Sequence, residues 1–333
     1  MDLSSYHVRR DQLTQQWVAC APSRSGRPKQ TTLGTPKDAE RGPVEGCPFC
    51  PGNEVMLPGI LDEITDEHDS WQVRAVPNKF PAFRSDQVLE EATNRVYEGK
   101  AARGHQEVIV ETPGHYAHWP YLSVSHLASV FRMYQRRIEH VRTAYPDLYP
   151  IVFRNQGGRA GASLAHPHSQ LIAPPLPPPE QVAEEQRCRT YFETEDSPLL
   201  AVMRDQELET ERRLVATNDH FVAFVPYAAP APYSVWIVPR RNNAHFTEIT
   251  DEERASCATI ARLVARRYVQ YAEDPDYNMT LHTALKPEAE APHLVWSLRS
   301  TPRVSVRAGF ELGTNMLINP SLPEIDADIL RGA

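Results

Sequence analysis

The chain has 333 residues, 41% hydrophobic and 23% charged, an ordinary globular balance that suits one large domain or two smaller ones. Its formal net charge of −8 excludes a sequence-independent nucleic-acid binder, which needs a basic face, though not a small anion held by a few arginines. No run approaches the ~20 apolar residues of a membrane helix, and the start "MDLSSYHVRRDQLTQQW" lacks a signal-like apolar stretch, so no membrane partner is expected and the cytoplasm is the expected compartment.

The first fifty residues read as loop-rich. In "APSRSGRPKQ" (21–30), Arg24 and Arg27 form either a solvated basic loop or a phosphate clamp, because guanidinium forks match phosphate oxygens bidentately. "GCPFCPGNE" (46–54) places Cys47 and Cys50 at C-x2-C spacing, which lets two thiolates hold one tetrahedral zinc from a tight turn. A thioredoxin-like redox pair is the competing reading, but no strand–CxxC–helix pattern surrounds it. With Cys20, Cys188 and Cys257 the cysteines number five, and an odd count with one close pair favours metal ligands or free thiols over disulfides.

"HQEVIVETP" (105–113) reads as a strand and "LASVFRMYQRRIEHVRTAY" (127–145) as a helix, with Val130, Tyr134, Ile138 and Val141 at helical spacing. "YPIVFRNQG" (149–157) and "LAHPHSQLIAPP" (164–175) read as two more strands. "LIAPPLPPPE" (171–180) is expected to be a stiff connector, and residues 181–213 a helical segment between the halves. The order then recurs. "YSVWIVP" (233–239) is a strand, Thr250 and Glu253 have capping-box spacing, and Cys257, Ile260, Ala261, Val264 and Tyr268 line one face of the helix that follows. "YNMTLHTAL" (277–285) and "HLVWSLRS" (293–300) are the later strands. The two copies lie roughly 125 residues apart, far beyond solenoid periods, which indicates one duplicated α+β unit: mainly antiparallel sheets with packed helices, divided at 1–180 and 181–333.

The densest chemistry is "GASLAHPHSQ" (161–170). Residues two apart in a strand share a face, so His166 and His168 should sit side by side with Gln170 next along. Two cationic imidazoles so close would repel. One histidine can therefore complete a metal site while the other stays neutral as a nucleophile or base. The turn "NQGGRAGAS" (155–163), immediately upstream, offers backbone amides and Ser163 to an anion.

The pattern N-x-G-x(3)-G-x-S-x(2)-H-P-H-x-Q, from Asn155 to Gln170, resembles the active-site signature of the galactose-1-phosphate uridylyltransferase family, within the histidine-triad superfamily. "RRDQLTQQWV", "SRSGRP", "CPFC", "VPNKFPAF" (76–83), "VPYAAPAPYSVWIVP" (225–239) and "GFELG" (309–313) follow in that family's order, so the resemblance spans nearly the whole chain. It implies two tandem histidine-triad-like units and exchange of UMP between UDP-glucose and galactose 1-phosphate through a covalent uridylyl-histidine. It implies that His168 is the nucleophile and that Gln170 bonds the phosphoryl oxygens. Ser163, with Asn155, Gly157 and Gly161 of the turn, would hold a phosphate, helped by Arg24 and Arg27. Asn78, Lys79 and Phe80 would line the nucleoside pocket, and Glu311 would contact sugar hydroxyls across a homodimer interface. Cys47, Cys50, His115 and His166 would bind one structural zinc, with His118 an alternative to His115.

Two features depart from that pattern. The second half offers only His282 and His293 near its last strands and no H-x-H, so no second metal is expected. A glutamine usual six residues after the sugar-binding glutamate is Leu317 here, which resembles the branch that includes ADP-glucose phosphorylase, whereas the central proline of H-P-H resembles the transferases. The alternative function is therefore an NDP-sugar phosphorylase with inorganic phosphate as acceptor. A dinucleotide hydrolase is disfavoured because Gln170 stands where such enzymes carry a third histidine. A nucleotide sensor without chemistry would bind nucleotide sugars but take no covalent label.

Overall fold

The structure is a computed structural model that describes residues 7–22, 44–86, 96, 99–286 and 290–332. The first half supplies β3 (Asp62–Thr65), β4 (Trp71–Pro77), β5 (His105–Val110), α1 (Val124–Ala144), β6 (Ile151–Gln156) and β7 (His168–Ala173). The second repeats the order with β8 (Leu214–Thr217), β9 (Phe221–Phe224), β10 (Val235–Pro239), α4 (Asp251–Tyr271), β11 (Tyr277–His282) and β12 (Ser297–Pro302). Between them lie α2 (Pro179–Glu195) and α3 (Leu199–Thr210). The connector is shorter than expected. Leu171–Ala173 complete β7 by pairing with β5 and β6, and a proline at the first turn opens α2, where its missing N–H costs nothing.

The two half-sheets are fused. One ten-stranded sheet runs β3-β4-β5-β7-β6-β11-β12-β10-β9-β8, which reads the same from either end, unit for unit. The seam is the antiparallel pair β6–β11, with Gln156 opposite Tyr277 and Phe153 opposite Thr280. Helices α1 and α4 lie on one face. Each is started by a side-chain cap: Ser123 accepts from the His126 amide, and Thr250 and Glu253 form a reciprocal capping box. Their apolar stripes, among them Leu127, Val130, Phe131, Ile138, Cys257, Ile260 and Val264, share one core with the inward residues of both half-sheets. At ~1.5–3 kcal/mol for each fully buried large side chain, this core fixes the position of every strand that carries the site.

The opposite face is covered unevenly. Over the second half, Val222, Phe224, Trp236 and Val238 pack under Leu199, Leu200 and Cys188 of α2 and α3. Over the first half, Cys47, Phe49 and Cys50 pack on Val76, Val108 and Val110.

The chain ends cross the division at residue 180. Strands β1 (His7–Arg10) and β2 (Trp17–Cys20) join β13 (Leu317–Asn319) in a separate three-stranded sheet, followed by α6 (Pro323–Arg331). Arg9 is 1% exposed and forks onto Glu324 at 3.0 and 2.9 Å, and Arg213 of the second half binds the same carboxylate at 2.8 Å. Residues 7–20 thus pack with the second unit rather than the first.

Candidate active site and metal centre

Strand β7 begins at His168, so His166 stands just outside it rather than within the strand as the spacing suggests. Both rings lie against Phe49, at centroid distances of 5.8 and 5.5 Å. Their nitrogens do different work. His166 Nδ1 faces Cys47 Sγ at 3.7 Å and Cys50 Sγ at 3.6 Å, and its Nε2 donates to the Thr112 carbonyl at 2.7 Å. His115 Nδ1 lies 3.2 Å from Cys50 Sγ. The four ligand atoms of Cys47, Cys50, His115 and His166 lie within 4.8 Å of one another, all on buried residues. His118 is not in the cluster.

This donor set fits a divalent metal. Tetrahedral zinc with bonds of ~2.3 Å to sulfur and ~2.05 Å to nitrogen sets sulfur–nitrogen edges of roughly 3.5 Å, and the observed separations are 3.2–3.7 Å. Burial, joined by the neighbouring Cys50, raises the Cys47 thiol; burial lowers the His115 imidazole, and with the charges of His115 and His168 it lowers His166 to about 4. Neutral imidazoles are what a metal needs, and a cation reverses the penalty on the thiolates. The Thr112 carbonyl fixes the His166 tautomer, as an outer hydrogen bond does for most ligating histidines.

His168 is separate from this cluster. Its Nδ1 donates to the His166 carbonyl at 2.8 Å, which leaves the Nε2 lone pair uncommitted. Burial lowers its pKa and the Arg154 charge acts the same way, against the carbonyl and the Glu111 carboxylate, so the neutral, nucleophilic form prevails near pH 7. Gln170, two residues on, shares that face. Gln106 donates to its Oε1 at 3.5 Å, which turns the Gln170 amide nitrogen outward as a donor. Gln106 also lines an open cleft of about 680 Å³ with Met56, Leu57, Leu61, Asn78 and Lys79. Asn78 Oδ1 accepts from the Phe80 amide at 2.8 Å, and Phe80 itself is 84% exposed and not part of the cleft's lining.

Four amides of the turn after β6 already have partners. The Ala160, Gly161 and Ala162 amides bond within the turn, and the Arg159 amide donates to the Asp276 carboxylate at 2.8 Å. Much of the turn is thus bonded to itself and to Asp276, and exposed Ser163 and the amide of Asn155 are side-chain donors beside it. Gly157 sits at φ +84°, ψ 164°, a glycine-only region, and Gly161 at φ +92°. Glu311 lies on α5 (Gly309–Thr314), where its carboxylate caps its own helix by accepting from the Ala308 amide at 2.9 Å. Arg24 and Arg27 lie outside the described residues.

Residues 1–178 match the galactose-1-phosphate uridyl transferase N-terminal domain, and residues 184–321 match the C-terminal domain of the same family. The chain belongs to the galactose-1-phosphate uridyl transferase family. It is 30% identical over 334 residues to the ADP-glucose phosphorylase of Arabidopsis thaliana, covering 98% of this chain and 93% of that one. It is 28% identical to the galactose-1-phosphate uridylyltransferase of Thermotoga maritima, covering 97% of each. A crystal structure of the Arabidopsis ADP-glucose phosphorylase with bound ADP-glucose matches the fold at a TM-score of 0.85, with 28% identity and 99% of each chain covered.

Beneath the face that carries His168, this member of the uridyl transferase family holds a buried polar cluster that the motifs do not announce. Glu111, wholly buried, accepts from Arg154 Nε at 2.9 and 3.0 Å, from Trp119 at 3.0 Å, and from Ser169. Tyr134 joins through Ser169 at 2.5 Å, and Arg154 reaches the Tyr277 hydroxyl at 3.2 Å. The cluster pins Ser169, the residue after His168, to α1 and β6. Its sequence signal is Glu107 and Glu111 alternating with Ile109 toward a helix-covered face, where a carboxylate demands a partner. Asn278 of β11 and Asp276 just before it, which hold the turn, carry no local signal.

Proposed function

We propose that the chain is a nucleotidyltransferase that exchanges UMP between UDP-glucose and galactose 1-phosphate in two displacements at His168. The observation that carries the reading is the pair of roles on the two histidines: His166 aimed at the Cys47–Cys50–His115 cluster, His168 with Nδ1 anchored and Nε2 free. Nε2 attacks the α-phosphorus, the bond to the bridging oxygen breaks, and the hexose 1-phosphate leaves. A second hexose 1-phosphate then attacks the same phosphorus, and the imidazole leaves with its nitrogen pair restored. Two in-line displacements give ping-pong kinetics and net retention at phosphorus. Gln170, Asn155 and Ser163 hold phosphate oxygens by hydrogen bonds, and the cleft beside Asn78, Lys79 and Phe80 receives the nucleoside. Zinc is the metal we assign to the Cys47–Cys50–His115–His166 cluster, where it ties the 46–54 loop and residue 115 to the entrance of β7. A homodimer, with Glu311 serving the partner's sugar site, follows from the same family reading, as does a cytoplasmic location. Among the described residues no helix is long and apolar enough to cross a membrane.

A second reading is supported by a specific observation. Leu317, at the place of the sugar-side glutamine, is 2% exposed and packs with Val18 and Ala228, so it is part of the small sheet's core and carries no polar group for a sugar. That favours an ADP-glucose phosphorylase, in which inorganic phosphate resolves an adenylyl-histidine. Turnover of UDP-glucose with galactose 1-phosphate, compared with ADP-glucose and phosphate, separates the two readings. Much faster reaction of the second pair overturns the first.

A further inference from the structure

We propose that Arg303, from the second half of the chain, binds the phosphate of the departing and incoming hexose 1-phosphate, and that Asn278 is the positioning residue that sets it beside the turn. The inference rests on the nucleotidyl-transfer reading and extends it to residues outside every motif.

Arg303 follows β12 and is half-buried. Its Nε donates to Asn278 Oδ1. Asn278 Nδ2 donates in turn to Asn155 Oδ1 and to the Ala160 carbonyl, both at 2.8 Å. This chain of bonds has two consequences. It commits the Asn155 oxygen to Asn278, so the Asn155 nitrogen points donors toward the open side, near Gly161 at 3.7 Å from that glycine's Cβ position. It also holds a guanidinium with its terminal nitrogens bonded to nothing among the described residues and with no carboxylate paired to it. Burial lowers the Arg303 pKa and the neighbouring Arg307 charge adds to it, so the pair is a local excess of positive charge.

A half-buried guanidinium without a counter-ion, beside a second arginine, is unfavourable unless an anion completes it. The placement suits a phosphate one unit beyond the reacting one. Strand β11 lies two strands from β7, roughly 10 Å at ~4.8 Å per strand, and the Arg303 side chain reaches back over β11 toward Asn155. Such a site would neutralise the leaving phosphate as its bond to the α-phosphorus breaks, and would recruit the acceptor in the second displacement.

Glucose 1-phosphate is a product in both readings above, so it is the probe. Its affinity for purified enzyme is measured by calorimetry for the wild type, Arg303→Gln and Arg303→Lys, alongside nucleotidyl labelling from UDP-glucose and ADP-glucose. Arg303→Gln is expected to weaken binding tenfold or more, and Arg303→Lys, which keeps the charge and loses the fork, threefold or more. Binding within twofold of wild type in folded variants overturns the proposal, as does a labelled wild type that does not bind the probe. If Arg303→Gln does not fold, Arg303→Lys decides by the same threshold. Absence of label in the wild type instead defeats the underlying reading.

Discussion

Replacing Gly157 with alanine probes how the second half holds the turn that follows β6. An added Cβ would lie 1.9 Å from Asp276 Oδ1 and 2.1 Å from its Cγ, too close for any side chain to coexist. The backbone at φ +84°, ψ 164° is also open only to glycine. The conformational cost is about 1–3 kcal/mol. Pushing the carboxylate aside breaks the Arg159 amide bond to it at 2.8 Å, and a hydrogen bond to a charged group contributes about 1.5–3 kcal/mol. Gly157→Ala should therefore lower unfolding free energy by roughly 2.5–6 kcal/mol, the sum of those two effects. In an Asp276→Ala background the obstruction and the bond are both gone, so the same substitution should cost only the backbone part, ~1–3 kcal/mol. Urea denaturation of the four proteins in this cycle, followed by circular dichroism, reads the coupling directly. An equal cost of Gly157→Ala in both backgrounds would refute the placement of Asp276 against the turn.

Cys50→Ser should release metal and lower thermal stability before it alters the chemical step, since Cys50 contributes to the cluster and to the packing on Val108 and Val110. Metal analysis with thermal scans checks this, and a metal-depleted preparation of unchanged stability contradicts it. Asp326 is buried, accepts from the Tyr233 amide at 3.0 Å and from Ser321, and is held protonated up to about 7 by burial against an ordinary value of 3.8. The folded state thus binds a proton the unfolded state has lost between those two values, and stability should fall as pH rises through that window. Asp326→Asn keeps the acceptor for Tyr233 and removes the proton, so its urea midpoint should decline less over the same range; parallel pH profiles would contradict the assignment.

The parts of the site that share a short stretch of chain were legible in advance. C-x2-C and H-P-H-x-Q each bring their ligands together through local geometry, and the capping box at Thr250 marks the start of α4 to the residue. The resemblance carried by Asn155–Gln170 supplied His115, which spacing alone does not link to Cys47. What escaped depends on long-range pairing. The seam between β6 and β11 joins residues more than a hundred apart, and neither strand differs in pattern from an edge strand. Residues 7–20 pair with β13 over only three positions, too few for any periodicity to announce. The turn amides looked free in sequence because Asp276, which occupies one of them, comes from the other half.

The central claim is that His168 Nε2 is unmetallated and forms a bond to phosphorus. Intact-mass analysis of the enzyme after incubation with UDP-glucose or ADP-glucose alone, with no acceptor, tests it most directly. The account predicts one nucleotidyl group per chain, mapped to the His168 peptide and absent from His168→Asn. An unmodified wild type with both donors, or an adduct that persists in His168→Asn, would contradict it.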